Sequence, residues 1–327
     1  MKRGIGVVEA GPCARVGTEL PRALVVLTSH FTVMPSTAPK ARSRTLELER
    51  DGVRYFGKVV AKHEREEQYD LLHALWRAME GKEEQAFLPR PEGLFALGKT
   101  DVVVVTEYIS GSDLFEYIVK QKENGAPESV LRAVFSRLLR ALRAMHELGF
   151  VHGDIKPENV MVDIVDLDVR RVCLIDFGFC FRVQRPPSIP RMGTVIYVAP
   201  EMLRGSEDRY SPALDAYAAG AVMLTIFTRK NPFLERTFNE ARSARLGVEF
   251  DETKLEAATA TCPPPLARLI AQLMAPRAKR ISVAEALESE WLLLTPLARS
   301  KTVASLCHMW RQPLDTQGTC GSSAATS

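Results

Sequence analysis

The sequence predicts an α+β chain, with strands gathered near its start and helices filling the remainder. Three observations predict it. Runs of β-branched and aromatic residues lie early, in Thr45–Glu49 with Val53–Val60 and in Asp101–Ile109. Apolar residues then recur at helical spacing over Ser129–Glu147. A second, more apolar helix opens at Asp215 and runs to Phe227.

Taken in order, Ala23–Leu27 with Phe31–Met34 reads as a first strand, too short and broken for a signal peptide. The pair Thr45–Glu49 and Val53–Val60 turns at Arg50-Asp51-Gly52. Glu64, Glu66 and Glu67 suit the positive end of a helix that carries Leu71, Leu72, Leu75, Trp76 and Met79. The apolar run Asp101–Ile109 ends in a polar step and passes into Ser110-Gly111-Ser112-Asp113-Leu114-Phe115. In Ser129–Glu147, Val130, Val134, Leu138, Leu142 and Met145 mark one face. Arg132, Arg137, Arg140 and Arg143 lie mostly elsewhere, as a solvated face, and Gly149 ends the helix. Asn159–Val162 and Arg171–Ile175 read as two strands with Asp163–Asp168 as their turn, which returns Asp176 beside Asn159. Asn231-Pro232-Phe233 stops the helix that opens at Asp215. Pro276–Ser282 precedes a last segment, Val283–Trp291.

The 327 residues are 46% hydrophobic and 25% charged, the balance of a soluble enzyme. A net charge of +3 is too small to argue for nucleic acid. No apolar run approaches the roughly 18–20 residues that span a membrane. The six cysteines form no Cys-x-x-Cys pair, so no zinc site is expected, and reduced thiols are. No internal repeat is visible.

Three polar motifs carry the chemistry. The first is His152-Gly153-Asp154-Ile155-Lys156-Pro157-Glu158-Asn159-Val160. Asp176-Phe177-Gly178 begins seventeen residues beyond Asn159, and Gly193-Thr194-Val195-Ile196-Tyr197-Val198-Ala199-Pro200-Glu201 follows. A lone aspartate, or a lone Asp-Phe-Gly, is most often a cap or a turn. In this order and spacing the three resemble the catalytic loop, metal-binding turn and substrate-facing segment of eukaryotic-type serine/threonine protein kinases. The resemblance covers about residues 50–292 and is strongest over 150–220. It implies a two-lobed kinase domain over 22–295, with a small β-rich N-lobe (22–108) and a larger helical C-lobe (109–295). Residues 1–21 and 296–327 read as tails, the second disordered. Leu306, Met309 and Trp310 in that tail offer a short apolar contact, although a mobile tail is the simpler reading.

Phosphoryl transfer is mainly positioning and charge neutralisation. The resemblance implies ATP and Mg2+ as cofactors and a protein substrate. It makes Asp154 the base for the acceptor hydroxyl and puts Lys156 near the moving phosphate. Asn159 and Asp176 are the metal ligands, since magnesium prefers oxygen. Glu107 offers a carbonyl, and Ile109 a carbonyl and an N–H, to adenine; Thr106 guards the pocket behind it and Asp113 meets the ribose. Lys58 anchors phosphate. Lys62 is the runner-up, because a step of four residues along a strand keeps the same face. Glu67 is the helix partner of that lysine, with Gln68 competing for the register. His152, Phe177 and Gly178 are structural. Asp215 holds the catalytic-loop backbone, and Glu201 pairs with Arg280.

The chain also departs from the family. Met34–Arg44, where a glycine-rich loop should cover the phosphates, has no glycine; Gly4 and Gly6 lie too far upstream. Lys40, Arg42 and Arg44 read as a basic surface loop, and Tyr217 replaces a usual tryptophan. Gly153 stands where many protein kinases have an arginine that receives a loop phosphate. Ser188 is the only hydroxyl residue between Gly178 and Gly193. Activity independent of phosphorylation on that loop is expected. His-Gly-Asp also occurs in small-molecule kinases, but Lys156 and the Gly193–Glu201 segment favour protein substrates. Asp113 and Glu158 suggest a substrate basic around its acceptor. The expected function is a slow serine/threonine kinase. The alternative is a pseudokinase that binds nucleotide or acts as a scaffold. A cytoplasmic monomer, with nuclear entry left open and no nucleic acid or membrane partner, completes the expectation.

Overall fold

The computed structural model describes residues 25–34, 44–61, 65–99, 101–121, 125–187, 193–204, 209–228 and 252–294. Six strands build one sheet: β1 (Val25–Val26), β2 (Thr32–Val33), β3 (Thr45–Arg50), β4 (Val53–Ala61), β5 (Pro91–Leu97) and β6 (Asp101–Glu107). Their order is β1-β5-β6-β4-β3-β2. Only β1 and β5 run parallel. Asp51 and Gly52, at φ 53° and 75°, form the two-residue turn between β3 and β4, whose left-handed backbone matches the strand twist.

Alternation along β4 sends Tyr55, Gly57 and Val59 to the outer face, and Phe56, Lys58 and Val60 to the inner face. Tyr55 joins Leu27, Phe31, Leu48, Val103 and Val105 in an outer core. Phe31 meets Tyr55 and Phe95 edge-on at 5.2 and 5.0 Å. This core corrects the reading of Ala23–Leu27 with Phe31–Met34 as one strand. β1 pairs with β5 at one sheet edge and β2 with β3 at the other, joined through a 3-10 turn at Leu27–Ser29. Burial of Leu27 and Phe31 against the outer face outweighs continued pairing at a single edge. On the inner face Val60, Val102 and Val104 pack with Leu94 and with Tyr69 of α1 (Arg65–Ala78).

The larger C-terminal part is mostly helical. β7 (Ser112–Asp113) leads into α2 (Leu114–Lys120), followed by α3 (Glu128–Glu147) and β8 (Phe150–Val151). β9 (Val160–Val165) and β10 (Asp168–Leu174) form a hairpin, and β11 (Phe181–Arg182) pairs with β8. Then come α4 (Pro200–Arg204), α5 (Ala213–Thr228), α6 (Glu252–Thr259), α7 (Pro264–Met274), α8 (Val283–Leu287) and α9 (Glu290–Leu293).

Val130, Val134, Leu138, Leu142 and Met145 of α3 are all buried, each contributing roughly 1.5–3 kcal/mol. The arginine face differs from the expectation of simple solvation. Arg132 binds Glu128 at 2.6 Å, Arg137 donates to the Val169 carbonyl, and Arg140 reaches Glu83 at 2.7 Å and Glu84 at 3.2 Å. Long arginine stems reach acceptors on neighbouring elements that helical spacing alone assigns to water. The β9–β10 hairpin is also longer than expected. Asp163 pairs across from Arg171 inside the ladder, and only Asp166 and Leu167, at φ 51° and 67°, form the turn.

α5 is apolar around most of its circumference and almost wholly buried, as a central helix should be. Gly220 permits the close crossing of α7: a Cβ there would stand 2.8 Å from Leu273 Cβ. Trp291 is fully buried against Phe135 and Phe227. The expected helix stop at Asn231-Pro232-Phe233, residues 35–43 of the glycine-free loop, Lys62, Ser188 and both tails lie outside the described residues. No helix among the described residues is long and apolar enough to cross a membrane. A small sheet-rich region and a larger helical region thus form the bilobal arrangement expected from the sequence.

Candidate functional site

A cleft of about 500 Å³ opens beneath the inner face of the sheet, within the range of small-molecule sites. Lys58, Phe56 and Thr106 reach it from the sheet, and Gln68 and Leu72 from α1. Glu107, Tyr108 and Ile109 line it where the chain leaves β6; Asn159, Met161, Asp176 and Phe177 line its opposite wall.

One buried carboxylate holds the loop below that wall. Asp215, in the first turn of α5, accepts from the backbone N–H groups of His152 (2.8 Å) and Gly153 (2.9 Å), and contacts His146 Nε2 at 2.9 Å. Burial opposes ionisation of Asp215, but these bonds and the nearby imidazoles hold its carboxyl below the usual value. Gly153 sits at φ +79°, where a Cβ would lie 2.8 Å from the Phe179 carbonyl oxygen. That approach accounts physically for glycine at this position.

His152 is fully buried. Its Nε2 faces the Ile175 carbonyl at 3.1 Å, while Nδ1 accepts from the Asp154 N–H at 3.3 Å. These two partners suit a neutral imidazole protonated at Nε2. Burial depresses its pKa, against the opposing pull of Asp215 and Asp176. Its ring meets Phe177 edge-on at 5.2 Å.

Asp154 is buried with both oxygens engaged. Oδ1 accepts from the Thr194 N–H (2.7 Å) and hydroxyl (3.0 Å). Oδ2 accepts from Asn159 Nδ2 (3.0 Å) and Lys156 Nζ (2.9 Å). Burial works against its charge, but Lys156 and Thr194 outweigh it, so the carboxyl stays below its ordinary value. Asp176 adopts a left-handed backbone at φ 63°, and its Oδ1 accepts from Lys58 Nζ (2.5 Å) and the Gly178 N–H (3.1 Å). Burial again opposes ionisation, and Lys58 overrides it.

Asn159 spends its amide nitrogen on the Asp154 carbonyl and carboxylate. The bonds above leave out its Oδ1 and the Asp176 Oδ2, and both residues line the cleft. Two such oxygens suit magnesium, which completes its shell with water and phosphate. No group of three or more His, Cys, Asp or Glu side chains forms a metal cage among the described residues.

The remaining expected residues divide between the cleft and its supports. Thr106 and Ile109 are buried at the cleft. Glu107 turns its carboxylate to Arg171, at 2.6 and 3.3 Å. Asp113 caps α2 by accepting from the Glu116 N–H at 2.7 Å, and is not among the residues lining the cleft. Glu201 and Arg280 form a buried bidentate pair, and Arg280 also donates to the Ala213 carbonyl at 2.9 Å. Glu67 lies within α1, but its side chain is outside the described residues. Gln68 does enter the cleft: its amide nitrogen comes within 3.4 Å of where a Cβ on Gly178 would stand. Thr194 and Phe56 are functional neighbours that the sequence reading did not single out. Alternation along β4 signals Phe56, which shares a face with Lys58; no local pattern signals Thr194.

A family profile described as Protein kinase domain matches residues 86–292. It begins after β4, so Lys58 and the segment before β3 lie outside it. Serine/threonine-protein kinase GL21140 of Drosophila persimilis is 37% identical over 136 residues, 41% of this chain and 17% of that protein. Probable serine/threonine-protein kinase 2 of Plasmodium falciparum is 35% identical over 154 residues, 46% of this chain and 29% of its own length. Serine/threonine-protein kinase DCLK3 of Homo sapiens is 35% identical over 133 residues, 41% of this chain and 20% of that protein. The chain therefore spans less than a third of these curated relatives. With the profile covering more than half of the sequence and the bilobal fold around it, the chain belongs to the protein kinase family.

Proposed function

We propose that a domain over residues 22–295 binds ATP with magnesium in the cleft and transfers the γ-phosphoryl group to serine or threonine hydroxyls of a protein. The observation that carries this is that Asn159 lines the cleft with Asp176 and Lys58 and binds the Asp154 carboxylate, which Lys156 pairs at 2.9 Å. Asp154 orients the acceptor hydroxyl and takes its proton. Lys156, 2.9 Å from it, offsets charge as the proton moves. Asn159 and Asp176 would hold magnesium, which supplies charge neutralisation to the phosphates when bound. The backbone of Glu107 and Ile109 receives adenine beside Thr106; Asp113, whose carboxylate caps α2, would have to leave that bond to meet the ribose. Glu158 is exposed near Asp154 and favours a basic acceptor region. The protein works as a cytoplasmic monomer, without need of phosphate on its own loop.

A second reading, a pseudokinase that binds nucleotide or acts as a scaffold, is favoured by two observations. Gln68, not a described carboxylate, enters the cleft from α1, and Met34–Arg44 contains no glycine. Family membership and the cleft already support this reading, which requires no chemical step. Radiolabelled transfer from ATP and magnesium to a generic basic protein separates the two. Transfer lost in both Asp154→Ala and Asp176→Ala supports the kinase. Nucleotide-dependent thermal stabilisation without any transfer replaces it with the pseudokinase.

A further inference from the structure

We propose that Arg171 is a positioning residue for the nucleotide: its ion pair with Glu107 bridges the helical region and the sheet, and fixes the backbone that is to receive the base. The inference rests on the nucleotide-binding reading above and deepens it, since that reading uses only the main chain of Glu107. The Glu107 carboxylate has a separate task. It accepts from Arg171 Nη2 at 2.6 Å and Nη1 at 3.3 Å, and from the Arg90 N–H at 2.9 Å. Arg171 lies on β10, and its Nε also donates to the Ala86 carbonyl at 3.4 Å. Ala86 stands in the 3-10 turn before β5, and Glu107 ends β6. One guanidinium from the hairpin thus grips two segments on the sheet side.

The same hairpin holds the far end of the connection. Ser112 and Asp113 pair with Val162 and Met161 of β9. Gly111, at φ +99°, lies so close to β9 that a Cβ there would collide with the Val162 carbonyl oxygen. Between these anchors stand Tyr108, Ile109 and Ser110, a link without helix or strand. Any rotation of the sheet over the helical region must be absorbed in this short link, and it would draw Glu107 away from Arg171. The ion pair therefore favours one lobe arrangement. A site competent only in that arrangement loses apparent affinity in proportion to the molecules that leave it.

The test uses the full chain as wild type, Arg171→Met, Arg171→Lys, Glu107→Gln and the Arg171→Met, Glu107→Gln double variant. A non-hydrolysable ATP analogue with magnesium is titrated by calorimetry, and urea unfolding without nucleotide records the stability of each variant. The Arg171 and Glu107 side chains are 31% and 24% exposed, so the pair contributes modestly. Arg171→Met and Glu107→Gln should each raise the Kd about fivefold, as when the competent fraction falls to about one fifth. The double variant should lose no more than either single one, because both act through one interaction. Arg171→Lys keeps the charge, though not the fork, and should stay within about twofold of wild type. An unchanged Kd in both single variants overturns the proposal and leaves the nucleotide reading standing. Additive losses in the double variant, or an Arg171→Lys as weak as Arg171→Met, overturn it too. Where Arg171→Met does not unfold cooperatively, Glu107→Gln and Arg171→Lys carry the comparison. If wild type does not bind the analogue, the nucleotide reading falls and the proposal falls with it.

Discussion

Replacing Asp215 should loosen the whole His152–Asn159 loop, and the size of the effect follows from its bonds. The carboxylate is 1% exposed and serves two backbone donors, His152 N and Gly153 N, together with His146 Nε2. Asp215→Asn preserves volume but converts one oxygen to an NH2 that faces a donor. One backbone N–H then loses its acceptor, and a new buried NH2 has none. At about 1–3 kcal/mol for each buried group left unsatisfied, the substitution should cost about 2–6 kcal/mol. Asp215→Ala leaves both backbone donors unpaired and adds a cavity, for about 3–6 kcal/mol. Either is a large share of a typical domain stability of about 5–15 kcal/mol. Urea unfolding followed by tryptophan fluorescence, with the buried Trp291 as reporter, measures the change. An Asp215→Asn midpoint equivalent to less than about 0.5 kcal/mol from wild type would refute the view that this carboxylate holds the loop.

Glu201→Ala leaves Arg280 charged and 1% exposed, and should cost about 3–5 kcal/mol. Thermal denaturation checks this, and the Glu201→Ala, Arg280→Met pair should be less destabilised than Glu201→Ala alone. Stability should also fall with acid in two stages. His152 is neutral in the native state with a depressed pKa, whereas the unfolded imidazole takes a proton below about 6.5. The unfolded state therefore binds more protons, and stability declines as pH drops below that value, by up to about 1.4 kcal/mol per pH unit. His152→Gln should flatten this stage in a pH series of urea melts. The carboxyls of Asp154, Asp176 and Asp215 are held below 3.8, so their contribution is present above that value and is lost as pH falls through their native values.

Much of the site could be read from the chain because its parts lie close in sequence. Asp154, Lys156 and Asn159 occupy one loop, and the β9–β10 hairpin returns Asp176 by local pairing. The helical spacing of Val130 through Met145 likewise reports a buried face directly, since backbone geometry alone sets that period. Local pattern does not report contacts that depend on how separate elements pack. Nothing near Thr194 announces that its N–H and hydroxyl will meet Asp154, forty positions earlier. Arg137 and Arg140 looked solvated because their acceptors, Val169 and Glu83, belong to other elements. Ala23–Met34 looked like one strand because β propensity cannot tell one sheet edge from the other.

The sequence by itself determined the class of fold, the family and the types of side chain available for chemistry, because those depend on local periodicity and on motifs a few residues long. Only the tertiary structure decided which of these groups meet. The packing of α1 against the sheet brings Gln68 into the cleft that Lys58 and Asp176 also line. That contact follows from how the helix docks, which no local signal records.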